Sequence, residues 1–139
     1  NMILIMTNPK LETLNTKQIQ ITKITNSKQY DLEPRTFEFA QKVIAYVNAL
    51  PKTLPNIEIG KQLVRAAGST GANYIEANEA LSKKDFIIRI KISRKEAKEC
   101  RYWLGLTQPT EENINSKLSL TQESLELTKI FGSILEKSK

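Results

Sequence analysis

Apolar residues recur at helical spacing through most of the chain after residue 30. Over residues 32–50, Phe37, Ala40, Ile44, Val47 and Leu50 repeat at intervals of three and four, which predicts a helix burying that face. Asp31 suits its N-cap, Glu33 its positive end and Pro34 its first turn. Pro51 stops it, and 51–55 read as a loop. A second helix is expected from after Asn56 to about Leu81, on the stripe Ile59, Leu63, Ala66, Thr70, Tyr74, Ala77 and Leu81. Ser82 caps a third, with Asp85 three residues on, and this helix runs to about Leu106. Its stripe is Phe86, Ile90, Ser93, Ala97, Cys100 and Leu104. After the break at Gln108-Pro109-Thr110, a fourth occupies about 111–136. Leu118, Leu125, Thr128 and Leu135 make its main stripe, widened by Ile114, Leu120, Leu127, Ile130, Phe131 and Ile134. Four helices with short connections read as an all-α, antiparallel up-down-up-down four-helix bundle.

Residues 1–29 follow a different pattern. Gln18-Ile19-Gln20-Ile21-Thr22-Lys23-Ile24 alternates with period two, which reads as an extended N-terminal arm ahead of a bundle domain at 30–139. A mobile tail fits the same residues. An ordered arm would pack on a neighbouring subunit, since a lone strand does not stabilise itself.

Two details sharpen the central hairpin. Gly68 and Gly71 lie inside the second helix at a cost of about 1 kcal/mol each relative to alanine, so a tight contact with the third helix is expected there. If those two helices are antiparallel about Ser82, residues at one level have numbers summing to about 164. Arg65 then meets Glu99 or Glu96 in an ion pair. Gln62, Arg65, Ser69, Asn73 and Glu76, facing Glu96 and Glu99, read as a structural polar strip at the edge of the core. A second apolar band on the third helix, Ile88, Ile92, Trp103 and Leu106, exceeds what a small bundle needs and is the candidate oligomer interface.

Charge adds the remaining candidate. The net charge is +6, and residues 82–107 supply eight lysines and arginines against Asp85, Glu96 and Glu99. Lys84, Lys91, Arg94, Lys95, Lys98 and Arg101, with Tyr102 beside them, form a candidate nucleic-acid-binding face. The same pattern also suits the solvated face of an amphipathic helix. No sequence-reading motif accompanies it, so any RNA or DNA contact would be sequence-independent.

Other chemistry is sparse. Histidine is absent, which removes the commonest general base and metal ligand. The single cysteine, Cys100, lies on an apolar stripe and reads as a buried, inert thiol in a reducing compartment. Glu76-x-x-Glu79 and Glu96-x-x-Glu99 mimic the Mg²⁺-holding pairs of all-α nucleotide hydrolases, but their register offsets them by roughly 12 Å. No metal, cofactor or catalytic residue is assigned, and a Mg²⁺-dependent nucleotide hydrolase stays as the lesser alternative. No run reaches the ~18 apolar residues of a membrane span, so a soluble cytoplasmic protein is expected.

Several separated blocks then converge on one family. Tyr30-Asp31-Leu32, Arg35-Thr36-Phe37-Glu38-Phe39-Ala40, Leu50-Pro51-Lys52-Thr53, Gln62-Leu63-Val64-Arg65-Ala66-Ala67 and Gly71-Ala72-Asn73-Tyr74-Ile75-Glu76-Ala77 resemble the four-helix bundle proteins called 23S rRNA intervening-sequence, or S23, proteins. Lys83-Lys84-Asp85-Phe86 and the run from Lys95 to Leu104 extend the likeness, which spans about 30–137. The resemblance implies an up-down bundle assembled as a homopentamer, without enzymatic activity, and with RNA or a nucleic-acid-processing protein as partner. A purely structural protein–protein assembly module is the alternative. Ala67-Gly68-Ser69-Thr70 departs from the usual serine- and isoleucine-containing segment of that family.

Overall fold

The computed structural model describes residues 31–139, and the expected N-terminal arm lies outside the described residues. Four α-helices account for most of the described chain: α1 Leu32–Asn48, α2 Leu54–Asn78, α3 Lys83–Leu106 and α4 Ile114–Lys137. A single 3₁₀ turn, Glu111–Asn113, precedes α4.

Local chemistry sets most of the boundaries. Asp31 accepts a hydrogen bond from the Glu33 amide at 3.0 Å and Ser82 one from the Asp85 amide at 3.1 Å, so both expected caps are present. The second helix starts earlier than its stripe implied. Thr53 caps it through the Asn56 amide at 3.3 Å, and Pro55 sits in the first turn, where its missing N–H costs nothing. It also ends earlier, at Asn78, which leaves Leu81 in the connection and 99% exposed instead of in the core.

The core stripe of α3 is as expected: Phe86, Ile90, Ser93, Ala97, Cys100 and Leu104 are all buried. Most of the α2 stripe is buried too, from Leu63 to Ala77. The main stripes expected for the other two helices coincide with the core only in part. Of the first stripe, Leu50 is buried and Ala40 and Val47 pack against the core, and on α4 the buried apolar residues come from the widening set. On α1 the buried set is Leu32, Thr36, Phe39, Val43 and Tyr46, while Phe37 is 66% exposed and Ile44 is exposed. On α4 it is Leu120, Ser124, Leu127, Phe131 and Ile134, and Leu118 and Ile114 face outward. Each of these helices carries two interleaved apolar series, and periodicity alone does not say which one meets the other helices.

Contacts between α2 and α3 run in opposite numerical directions. Arg65 meets Glu99, the Ser93 hydroxyl donates to the Thr70 carbonyl at 3.0 Å, and Arg89 donates to the Asn73 side chain at 3.0 Å. These are the levels expected of the hairpin. Its glycines behave otherwise. A Cβ on Gly71 would stand 2.8 Å from the Thr36 hydroxyl on α1, and one on Gly60 2.8 Å from a Val47 methyl, also on α1. The glycine-mediated approach is therefore α1 to α2. Gly68 has nothing within 4 Å of its Cβ position. Across the α2–α3 seam the buried Ser93 hydroxyl bonds the Thr70 carbonyl, and Ala66, Ala67 and Ala97 are buried on the same two helices.

Across the core the Tyr74 and Phe131 rings lie 6.0 Å apart, linking α2 to α4. Arg35 on α1 forks onto Glu123 on α4, at 2.7 Å from Nε and 2.9 Å from Nη2. Asn56 joins the α1–α2 connection to the one before α4, through the Pro51 and Gln108 backbones. Beside it Thr107 donates its only hydroxyl proton to the Leu104 carbonyl at 2.6 Å, so Tyr46 is the donor in its 2.7 Å bond to Thr107.

Candidate nucleic-acid interface

Helix α3 has a single core-facing sector, so most of its charged residues point away from the bundle. Lys84, Lys91, Arg94, Lys95, Lys98 and Arg101 are all exposed. None of the six forms an ion pair or hydrogen bond among the described residues. Several cations elsewhere are engaged locally, as in Lys42–Glu38, Lys61–Glu58 and Lys139–Glu136, or on carbonyls in the case of Lys117. Lys129 and Lys137, on α4, have no such bond among the described residues. The outer face of α3 is thus a row of uncompensated positive charge.

Four of the six share a groove. Lys91, Arg94, Lys95 and Lys98 line a shallow concavity of about 710 Å³ together with Tyr102 and Trp103. Glu99 and, from α4, Leu135 complete its lining. Arg94 lies along α4: its Nε would be 3.4 Å from a Cβ on Gly132, an ordinary contact distance that places the arginine stem against this helix. Lys84 and Arg101 are on the same helix but outside the groove. The aromatic pair is edge-to-face with centroids 5.1 Å apart. Tyr102 is 63% exposed, whereas Trp103 is half-buried with its indole N–H enclosed and unpartnered. The Trp103 ring is therefore held by packing of its apolar body.

The remaining candidates fall elsewhere. In the polar strip Arg65 binds Glu99 at 2.9 Å and approaches Glu96 at 3.3 Å, and Asn73 bonds the Ser69 carbonyl at 2.9 Å. Gln62 and Glu76 are exposed and Ser69 half-buried. The Glu96 carboxylate, followed by that of Glu99, raises the Arg65 pKa further, so this cation stays charged at any physiological pH. Glu96 is buried and has one oxygen without a hydrogen bond. The apolar band divides: Ile88 and Ile92 line a small cleft with Glu76, Glu79, Leu81 and Asp85, Trp103 lines the basic groove, and Leu106 is exposed at the far end of α3. Among the described residues no three His, Cys, Asp or Glu side chains are grouped to hold a metal ion. A cleft of about 590 Å³ between α1 and α4 is lined by Arg35, Glu38, Lys42 and Glu123, and these charges are already paired with one another.

Sequence reasoning missed Arg89, whose bond to Asn73 takes it away from the basic face, and the seating of Arg94 on Gly132. It also missed Arg35–Glu123 and Asn56–Gln108. Arg35–Glu123 and Asn56–Gln108 are not signalled by spacing, because each joins residues far apart in the chain. Arg89–Asn73, by contrast, lies at a level the hairpin register allows.

Residues 28–132 match the model of the 23S rRNA-intervening sequence protein family. The chain belongs to that family. The chain is also similar to a crystal structure from Bacteroides thetaiotaomicron, described as a protein of unknown function from the S23 ribosomal protein family. The two are 33% identical, superpose with a TM-score of 0.68, and the match covers 76% of this chain and 99% of that one. Neither description carries an enzymatic activity. A comparison with curated proteins found no match. No helix among the described residues is long and apolar enough to cross a membrane.

Proposed function

We propose that this 23S rRNA-intervening sequence protein is a non-enzymatic, cytoplasmic homo-oligomer of up-down-up-down four-helix bundles that binds RNA through the basic face of α3. The observation that carries this reading is the set of six exposed cations on one helix with no partner in the described chain. Unpaired surface lysines and arginines gain by replacing the condensed counterions of a polyphosphate. The absence of any base-reading motif makes the contact one of backbone charge. A pentamer is the expected assembly on the family resemblance.

The test is a salt titration of binding to a generic RNA. Affinity that falls linearly in log–log form with rising salt supports the reading, and no binding even at low salt refutes it. A solution mass at micromolar concentration tests the assembly, which a monomer would refute.

The second reading is a structural assembly module without nucleic acid. It is favoured by Phe37, Ile44 and Ile75, exposed apolar residues on α1 and α2, and by Gly68, a helix glycine with no neighbour that requires it. An unexplained helical glycine, on a bundle that also exposes apolar side chains, suits close approach by a second copy. A stable oligomer indifferent to RNA would establish this alternative over the first.

A further inference from the structure

Lys91, Lys95, Lys98 and Tyr102 follow one another at intervals of four, three and four residues, so all project from the same side of α3. From Lys91 to Tyr102 this ladder runs about 16 Å along the helix. At its end the Tyr102 ring is open to solvent, braced edge-on against Trp103, which is itself half-buried and fixed. Nothing in the described chain covers Tyr102. The only carboxylate in the groove lining, Glu99, is bonded to Arg65 at 2.9 Å and so opposes an anion weakly.

We infer that the groove takes single-stranded nucleic acid, with phosphates along Lys91, Lys95 and Lys98 and a base stacked on Tyr102. This deepens the RNA reading above and rests on it. In a duplex the base faces are occupied by their neighbours, so an exposed aromatic at the end of a cationic ladder has no face to stack on. The deep, narrow major groove of A-form RNA also resists entry by protein side chains. A single strand offers both free base faces and a flexible phosphate chain, and an aromatic beside a basic groove is the chemistry that receives it. Stacking is indifferent to base identity, which agrees with the lack of any sequence-reading element.

The chain contains one tryptophan, Trp103, so its emission reports directly on the groove. The experiment titrates the full-length protein with an unstructured oligouridylate and with an RNA duplex of equal length, at low salt. The expected result is tighter binding of the single strand, by 10-fold on the order of one lost stacking contact, with quenching of Trp103. Tyr102→Ala should weaken the single strand by about 5- to 150-fold, and Tyr102→Phe should match the wild type, because the ring and not the hydroxyl stacks. Tyr102 is exposed, so neither change threatens the fold. Equal or tighter binding of the duplex, or a Tyr102→Ala protein that binds the single strand as the wild type does, overturns this inference while leaving the RNA reading intact. Failure of both RNAs to bind overturns the two together.

Discussion

Asn56 and Gln108 stand 52 residues apart and exchange two hydrogen bonds, each of 2.9 Å: the Asn56 amide donates to the Gln108 carbonyl and its carbonyl accepts from the Gln108 amide. The same Asn56 amide donates to the Pro51 carbonyl at 3.0 Å. One buried side chain thus satisfies three backbone groups in two connections at the same end of the bundle, where no helix supplies partners.

Asn56→Ala should therefore destabilise the protein by about 1–3 kcal/mol, since the Gln108 N–H and carbonyl lose their partner while the Pro51 carbonyl keeps the Thr53 amide at 2.9 Å. Urea unfolding measures this. A loss no greater than about 0.5 kcal/mol, the size of an ordinary surface substitution, would show that water replaces the side chain freely.

Two glycines of α2 should respond to alanine with opposite signs. Gly68→Ala meets nothing within 4 Å and should stabilise the isolated bundle by about 1 kcal/mol through helix propensity. Gly71→Ala drives a methyl group against Thr36, whose hydroxyl is held by the Leu32 carbonyl at 2.7 Å and the Glu33 carbonyl at 3.1 Å. Overpacking there should cost about 1–3 kcal/mol, more than the propensity gain returns. Denaturant midpoints of the two variants, compared at one concentration, would refute the α1–α2 packing if both moved the same way.

Two ion pairs differ in shielding and should differ in coupling. Arg35–Glu123 is bidentate, with side chains 16% and 28% exposed, whereas Arg65–Glu99 is 48% and 37% exposed. A double-mutant cycle should return about 1–2 kcal/mol for the first pair. For the second it should return less than about 1 kcal/mol, falling further with added salt. A larger coupling at Arg65–Glu99 than at Arg35–Glu123 would contradict the argument from shielding.

Alkaline pH should weaken the fold in a defined window. Burial pushes the Cys100 thiol up to about 12 from its ordinary value of 9.0, and burial also raises the Tyr74 and Tyr46 phenols above theirs. The unfolded chain then loses these protons before the folded one does. The stability they contribute is fully present below pH 9.0 and is lost as pH rises toward about 12. The urea midpoint should be level from pH 7 to about 8.5 and fall thereafter, and Cys100→Ala should make that fall shallower. Rapid alkylation of the native thiol by iodoacetamide at pH 8 would contradict its burial.

What could be read from the residues alone was what short-range physics governs. Asp31 and Ser82 cap their helices because the cap bond joins residues two or three positions apart. The α3 core stripe was legible because Phe86, Ile90, Ala97, Cys100 and Leu104 recur at helical spacing apart from the charged residues. The Arg65–Glu99 level followed from the short connection at Ser82, which leaves an antiparallel hairpin little freedom in register. The row of cations on α3 was equally visible.

Tertiary structure decided the rest. On α1 the choice between Phe37 and Phe39, and on α4 between Leu118 and Leu120, depends on how the helices rotate to bury the most surface together, and both alternatives have the same period. Gly71 faces Thr36 on α1 instead of α3 for the same reason. The groove is also a tertiary product: Arg94 lies against α4 at Gly132, and Trp103 becomes its wall because packing half-buries the ring. The helices and their charge are properties of local sequence. Which faces meet, and which aromatic remains open beside the cations, are properties of the packed bundle.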